Sequence, residues 1–85
     1  MRVVAVGSRE VLLGLMLAGV KDVVETGDPD EAVERIRAFL KDEDVGAIIV
    51  ASEIYDAKQD ELERIRGDRT LPLFARFPAK GVEFR

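Results

Sequence analysis

Residues 3–20 read Val-Val-Ala-Val-Gly-Ser-Arg-Glu-Val-Leu-Leu-Gly-Leu-Met-Leu-Ala-Gly-Val, and this stretch decides the fold. Its first four residues are uniformly apolar, which is typical of a strand in the middle of a parallel sheet. Gly7 and Ser8 predict a turn, with Ser8 as the N-cap of a helix over Arg9–Ala18. Gly19 is a natural end for that helix. The stretch therefore predicts a strand, a turn and a helix, which is the repeating unit of an α/β domain.

The predicted first helix is apolar on more than one side. On a helical wheel its apolar residues fall on three sides: Val11, Leu15 and Ala18 on one, Leu12 and Met16 on a second, and Leu13 and Leu17 nearly opposite the first. A helix packed on one sheet face needs a single apolar stripe, and a small domain has little chain left to cover the rest. We therefore expect the surplus side chains to contact a partner protein, or a second copy of this chain in weak self-association.

The rest of the sequence predicts three further strands and two further helices. Asp28 and Pro29 are residue types favoured at the N-cap and the first helical position, and Glu31 completes a capping-box spacing. Pro72 cannot donate to a strand ladder, which favours an edge position for the last strand. The expected elements are a short edge strand at Lys21–Thr26, a helix over Pro29–Lys41, a buried strand at Val45–Ala51, a helix from Ser52 or Asp56 to Gly67, and a strand at Leu71–Phe77.

This alternation of strands and helices predicts an α/β fold with a parallel sheet and right-handed crossovers. Placing the two most apolar strands in the middle gives a four-stranded parallel sheet of order 2-1-3-4. Helices flank it on both faces, as in a truncated flavodoxin-like or Rossmann-like fold. We expect a single domain over residues 1–78 and a short C-terminal tail over residues 79–85.

Composition excludes several classes of function. The chain of 85 residues contains no cysteine and no histidine, which removes thiolate chemistry, disulfides and the commonest general base and metal ligand. A net charge of −4, without a basic run that includes aromatic residues, argues against nucleic-acid binding. No apolar run approaches the length of a transmembrane helix. We therefore predict no catalytic residue, no metal and no cofactor, and neither a nucleic-acid partner nor a membrane span.

One crevice remains a candidate ligand site. Folds of this class bind ligands beyond the carboxyl ends of the strands, where the strand order reverses. Here that position is surrounded by Gly7, Ser8, Arg9, Ser52 and Glu53. The sequence lacks both the G-x-G-x-x-G and the P-loop phosphate motifs, and it lacks the clustered acids of a phosphorelay receiver. Two interpretations stay open: a turn with an N-cap serine, or a small-molecule or nucleotide-binding site.

Four segments, in order and at comparable spacing, resemble the F subunit of the archaeal and vacuolar-type rotary ATPases. The family shows a first strand ending in Gly and a small polar or acidic residue, then Gly-x-x-Leu-Ala-Gly-Ile/Val. A Val-Gly-x-Ile-Ile strand ending in Ser/Thr-Glu follows, and then a Pro-led strand with Pro-x-Lys and Gly. The similar segments here are Arg2–Gly7, Gly14–Val20, Val45–Glu53 and Pro72–Gly81. Ser8 stands where the family commonly has Asp. Family members usually continue into a C-terminal helix, whereas this sequence ends at Arg85.

The resemblance implies a non-catalytic component of the central stalk, which binds the coiled-coil D subunit of the rotor within the larger A/V-type complex. It also implies a position on the cytoplasmic side of the membrane, with nucleotide chemistry carried out by other subunits. A partner of this kind would account for the surplus apolar surface of the first helix. The candidate contact residues are Leu12, Leu13, Met16, Leu17, Phe74 and Phe77.

Overall fold

A computed structural model describes residues 1–77 of the chain and shows an α/β domain with one parallel sheet. The elements are β1 (Arg2–Gly7), α1 (Arg9–Leu17), β2 (Asp22–Glu25), α2 (Pro29–Phe39), β3 (Val45–Ala51), α3 (Ser52–Arg66) and β4 (Leu73–Phe77). The strands pair in the order β2-β1-β3-β4, all parallel. The predicted fold class and strand order are thus confirmed. The predicted tail at residues 79–85, like residue 78, lies outside the described residues.

The larger core lies between the sheet and helices α2 and α3. The register pairs Val4 with Ile48 and Val6 with Val50, so these four side chains point to the same face. Helices α2 and α3 cover that face, and α2 contributes its buried stripe. The largest fully buried side chains of this core are Val4, Val6, Val33, Ile36, Ile48, Val50 and Leu62. Two helices are therefore sufficient to close this side of the domain.

The opposite face carries a smaller core under a single helix. Helix α1 packs on β1 and β2, and Leu12 and Leu15 are its buried residues. They contact a cluster that includes Ala5, Val23 and Ile49. The predicted apolar side of α1 at Val11 and Leu15 therefore belongs to the sheet, together with Leu12.

Helix α1 ends as its sequence predicts. Ala18 is the C-cap, and Gly19 follows with a φ of 105°, a left-handed conformation that favours glycine. The N–H of Gly19 donates to the carbonyl of Met16, and the N–H of Val20 donates to the carbonyl of Leu15. This pair of bonds is the Schellman arrangement, which satisfies carbonyls that the helix leaves without partners. It also turns the chain back into β2.

Helix α2 begins at the predicted cap, although with a different set of bonds. The Asp28 carboxylate accepts from the Asp30 N–H at 3.0 Å. The Asp28 N–H, which a capping box would direct to Glu31, instead donates to the hydroxyl of Thr26 at 3.1 Å. The buried Thr26 thus takes the second capping role and fixes the turn between β2 and α2.

The sequence predicts Ser52 or Asp56 as the start of helix α3, and the structure shows one helix with a kink shortly after the second of these residues. It begins at Ser52, but Lys58 has non-helical φ and ψ of −126° and 20°, so the helix is kinked one to two turns after its start. The Lys58 ammonium lies 2.5 Å from the Asp30 carboxylate on α2, and this hydrogen bond raises the pKa of Lys58. The kink therefore occurs where α3 is tied to α2.

Strand β4 occupies an edge of the sheet, as the proline predicted, but it begins at Leu73 rather than Leu71. Pro72 has no N–H to donate and precedes the strand. On the α3 side, the Arg76 guanidinium donates to both carboxylate oxygens of Asp56, at 2.8 and 2.6 Å. This bidentate pair raises the pKa of Arg76 and joins β4 to α3.

We predict that Asp28→Ala lowers the free energy of unfolding by about 1 kcal/mol, because the Asp30 N–H loses its acceptor at the helix N-terminus. Chemical denaturation monitored by circular dichroism measures this change. Asp28→Ser is the control, since serine also caps, and it should remain within a few tenths of a kcal/mol of the original. Equal losses in both variants would contradict the capping role.

Candidate partner interface

Three apolar side chains project from the outer side of α1. Leu13, Met16 and Leu17 are 51%, 50% and 91% exposed, because Leu12 and Leu15 direct the opposite side of the helix to the sheet. Their i, i+3, i+4 spacing places them next to one another on the helix surface. We call Leu13, Met16 and Leu17 the α1 patch. Such a stripe is what a helix presents to another helix or to a groove.

The α1 patch continues into a groove toward the β2 edge of the sheet. This groove has a volume of about 360 Å³. Most of its lining residues are apolar, and Arg9 and Glu25 supply one charge of each sign. The lining residues are Arg9, Leu12, Leu13, Met16, Val23 and Glu25. A partner side chain that enters the groove would bury apolar surface beside groups able to pair with charge of either sign.

A second apolar surface is the half of the same sheet face that α1 leaves open. Paired residues of parallel strands point to the same face, so the register defines the members of this surface. Leu73 and Phe77 on β4 are 56% and 40% exposed, and Val3 on β1 is 40% exposed. We call this surface the open half; it consists of Val3, Ala47, Leu73, Ala75 and Phe77, and Ile49 borders it beside α1.

The structure separates the predicted contact residues. Leu13, Met16 and Leu17 form the α1 patch, whereas Phe77 lies on the open half near the other edge of the sheet. Phe74 points to the α3 side, where it packs against the larger core with the Arg66 guanidinium 5.4 Å from its ring centre. Phe74 is half-buried and its contacts lie within the domain, so it is not part of the candidate interface.

Leu12 also requires a correction. It is 4% exposed and packs with Ala5 and Leu15 in the smaller core, so it presents almost no surface to a partner. Its wheel position lies between Leu15 and Met16, and the helix is rotated so that Leu12 rather than Leu13 faces the sheet. The exposed apolar surface that the sequence predicts on α1 is therefore present, but it does not include Leu12.

Sequence reasoning missed most of the open half. The available signal was the alternation in β4, where Leu73, Ala75 and Phe77 share one face. A strand of a parallel sheet is normally buried on both faces, and of the residues on this face only Phe77 was among the predicted contact residues. Leu73, Ala75 and Phe77 are exposed because, within residues 1–77, no helix lies over most of β3 and β4 on this face.

The crevice at the carboxyl ends of β1 and β3 exists, with a volume of about 290 Å³. Ser8, Ser52 and Glu53 line it as predicted, but Gly7 and Arg9 are not among the described residues that line it. Glu53 is the one charged side chain that residues 1–77 contribute to the lining. The Ser8 hydroxyl makes no capping bond within the same part of the chain. These residues offer a phosphate no cationic side chain and place a carboxylate at the site.

Gly7, at the end of β1, is packed closely against the neighbouring strand. A β-carbon built on Gly7 would lie 2.7 Å from the β-carbon of Ala51, at the end of the neighbouring strand β3. This is shorter than any ordinary carbon–carbon contact, so glycine is required there. The glycine therefore serves the packing of two adjacent strands, and a phosphate-binding role is not needed to explain it.

The described residues contain no group of three or more acidic, histidine or cysteine side chains that could hold a metal ion. Within residues 1–77, no helix is both long enough and apolar enough to cross a membrane. Within this part of the chain, the exposed apolar surfaces are therefore the features that the fold itself does not require.

Comparison with known proteins assigns the chain to a family. The family model described as ATP synthase (F/14-kDa) subunit matches residues 3–85. The chain belongs to this family of ATP synthase F subunits. The resemblance inferred from the sequence is thus confirmed, and it extends over nearly the whole chain.

Two archaeal members of the F subunit family illustrate the similarity. The A-type ATP synthase F subunit of Methanocaldococcus jannaschii is 37% identical over 65 residues, which are 76% of this chain and 66% of that protein. The corresponding A-type F subunit of Methanothermobacter thermautotrophicus is 36% identical over 80 residues, which are 92% of this chain and 73% of that protein. The match thus spans about two thirds to three quarters of the length of these relatives.

The fold is also that of a solved F subunit. The crystal structure of the F subunit of the V-type ATP synthase from Archaeoglobus fulgidus superimposes with a TM-score of 0.58 at 24% identity. The superposition covers 88% of this chain and 94% of that one. This likeness supports the fold, whereas family membership rests on the family match and the sequence relatives.

We predict that Gly7→Ala destabilises this F subunit by about 1–3 kcal/mol, because the added methyl group would overlap Ala51. Gly14→Ala is the matched control. Gly14 lies inside α1, and a β-carbon there would have no neighbour within 4 Å, so this variant should gain about 0.5–1 kcal/mol. Urea denaturation measures both values. A neutral Gly7→Ala would contradict the proposed close packing of β1 on β3.

Proposed function

We propose that this chain is a non-catalytic component of the central stalk of an ion-translocating A/V-type ATP synthase. In this role it binds the coiled-coil D subunit of the rotor and helps to couple rotation to ATP synthesis or hydrolysis. Family membership supports the complex, and the α1 patch supports the mode of binding. The patch is the observation that carries the proposal, because a helix already packed on its sheet has no internal use for a second apolar side.

The chemistry of the α1 patch suits a coiled-coil partner. Leu13, Met16 and Leu17 form a ridge along one helix, which can pack into the grooves of another. Burying an exposed leucine completely contributes about 1.5–3 kcal/mol, so the ridge can contribute several kcal/mol to binding. Arg9 and Glu10 precede the ridge and Lys21 follows it. An apolar centre with a charged rim is the common composition of a protein interface.

The shortage of catalytic groups agrees with a mechanical role. The sequence has no histidine or cysteine, and Glu53 is the one charged side chain that the described residues bring to the carboxyl-end crevice. In this proposal the nucleotide chemistry takes place in other subunits, and this chain contributes a rigid domain that turns with the rotor. Its place would be on the cytoplasmic side of the membrane, peripheral to the ion-translocating part.

We predict that Leu13→Asp and Leu17→Asp leave the isolated domain folded but weaken binding to the D subunit by on the order of 100-fold or more. Both side chains are at least half exposed in the free domain, so a charge there should not disturb folding. In the complex the same charge would be buried without a partner, which is strongly unfavourable for binding. Calorimetric titration with the purified D subunit measures binding, and thermal melts followed by circular dichroism measure folding.

Leu71→Asp is the matched control for this experiment. Leu71 is 54% exposed, close to the value for Leu13, but it lies in the loop before β4. Its replacement should therefore leave the affinity within about twofold of the original. If both α1 variants bind the D subunit as tightly as the Leu71 variant, the α1 patch is not the docking surface. If the original chain does not bind, the proposed function fails.

A further inference from the structure

The two edges of the sheet differ in how they are protected from pairing with another strand. At one edge β2 is four residues long, begins and ends with Asp22 and Glu25, and follows Lys21. Short length and charged ends are the usual protection of an edge strand. At the other edge β4 has five residues, and its one charged side chain, Arg76, is engaged by Asp56. No other strand of residues 1–77 pairs with its outer side.

The sequence of β4 is complementary to itself in one register. In an antiparallel pair related by a twofold axis through Ala75, Leu73 of one copy lies opposite Phe77 of the other. Both side chains belong to the open half, so each Leu–Phe pair covers surface that is exposed in the single domain. Such a contact between an aliphatic and an aromatic side chain buries apolar surface of both.

Charge and size also fit this register. On the α3 side of the sheet, Arg76 of one copy lies opposite Phe74 of the other, so the two guanidinium groups do not face each other. The strand therefore places no like charges opposite one another across the axis. Ala75, which meets its own copy at the axis, is small enough to pair closely.

We propose that two copies of this chain pair antiparallel through their β4 edges, around a twofold axis at Ala75, and form one continuous eight-stranded sheet. This interaction goes beyond the binding of a rotor subunit and uses a different surface. The interface is isologous, so it closes at two copies and does not propagate into a filament. Because it consists of one short strand pair and two Leu–Phe contacts, we expect a weak dimer that depends on concentration.

The α1 patch stays free in this dimer. Helix α1 lies over β1 and β2, whereas the new strand pair extends the sheet beyond β4 in the plane of the sheet. The dimer would instead bring the two open halves side by side. Leu13→Asp and Leu17→Asp should therefore self-associate like the original chain, which separates this inference from the proposed function.

The test compares two double variants by sedimentation equilibrium of the full chain, from micromolar to millimolar concentration. Leu73→Lys with Phe77→Lys places like charges opposite each other twice across the axis, and this variant should dimerise more weakly than the original chain. Leu73→Lys with Phe77→Glu places opposite charges in the same positions. It should dimerise on the order of tenfold more tightly than the first variant.

Charge on the whole molecule cannot produce this difference. The original chain has a net charge of −4, and two added lysines reduce its magnitude, which by itself would favour association of the first variant. Both side chains are at least 40% exposed, so thermal melts should show all variants folded. Leu71→Lys, just outside the strand, should dimerise like the original chain.

Two results would overturn the proposal. One is an original chain that remains monomeric at millimolar concentration. The other is a dimer whose association constant is the same for the Lys–Lys and Lys–Glu variants, since Leu73 would then not face Phe77 across the axis.

Discussion

The arrangement of this domain depends on how three helices are divided between the two faces of one parallel sheet. Right-handed crossovers place α1 on one face, because the chain moves from β1 to β2, and place α2 and α3 on the other, because both later connections run in the opposite direction. Two helices cover their face and enclose the larger core. One helix covers mainly β1 and β2 and reaches Ile49 of β3, so most of the face over β3 and β4 remains open within residues 1–77. The exposed apolar surface is thus a consequence of the topology and not a set of isolated side chains.

The same topology creates a crevice in which related folds bind ligands, but the local residues do not equip it for that purpose. The ends of β1 and β3 are packed closely at Gly7 and Ala51, and the described residues bring one carboxylate, Glu53, to the crevice beside them. An anion would meet that negative charge without a compensating lysine or arginine from this part of the chain. The free energy that these residues can offer a partner therefore resides in apolar surface outside the crevice, on α1 and on β4.

The sequence was sufficient for the strand order, because the two strands with continuous apolar runs belonged in the middle and Pro72 favoured an edge for the last strand. It was not sufficient for the rotation of α1. Leucine occupies positions 12, 13, 15 and 17, and these side chains have equal hydrophobicity, so only the fit on Ala5 and Val23 selects Leu12 and Leu15 for the core. In the same way, the sequence offered two starts for α3, at Ser52 and at Asp56, but it did not show that both lie in one helix kinked at Lys58, beside Asp30 of α2.

The α1 patch and β4 lie toward opposite edges of the sheet, and this separation determines how they can act together. Two strands stand between β2 and β4, and adjacent strands are about 4.8 Å apart, so the two edges are roughly 14 Å apart. A helix bound on α1 uses side-chain packing above the sheet, whereas a strand added to β4 uses main-chain hydrogen bonds within its plane. Substitutions at such distant sites act nearly independently. In the proposed dimer the β4 edge would therefore be paired with a second copy, and the α1 patch would stay open to the proposed rotor partner.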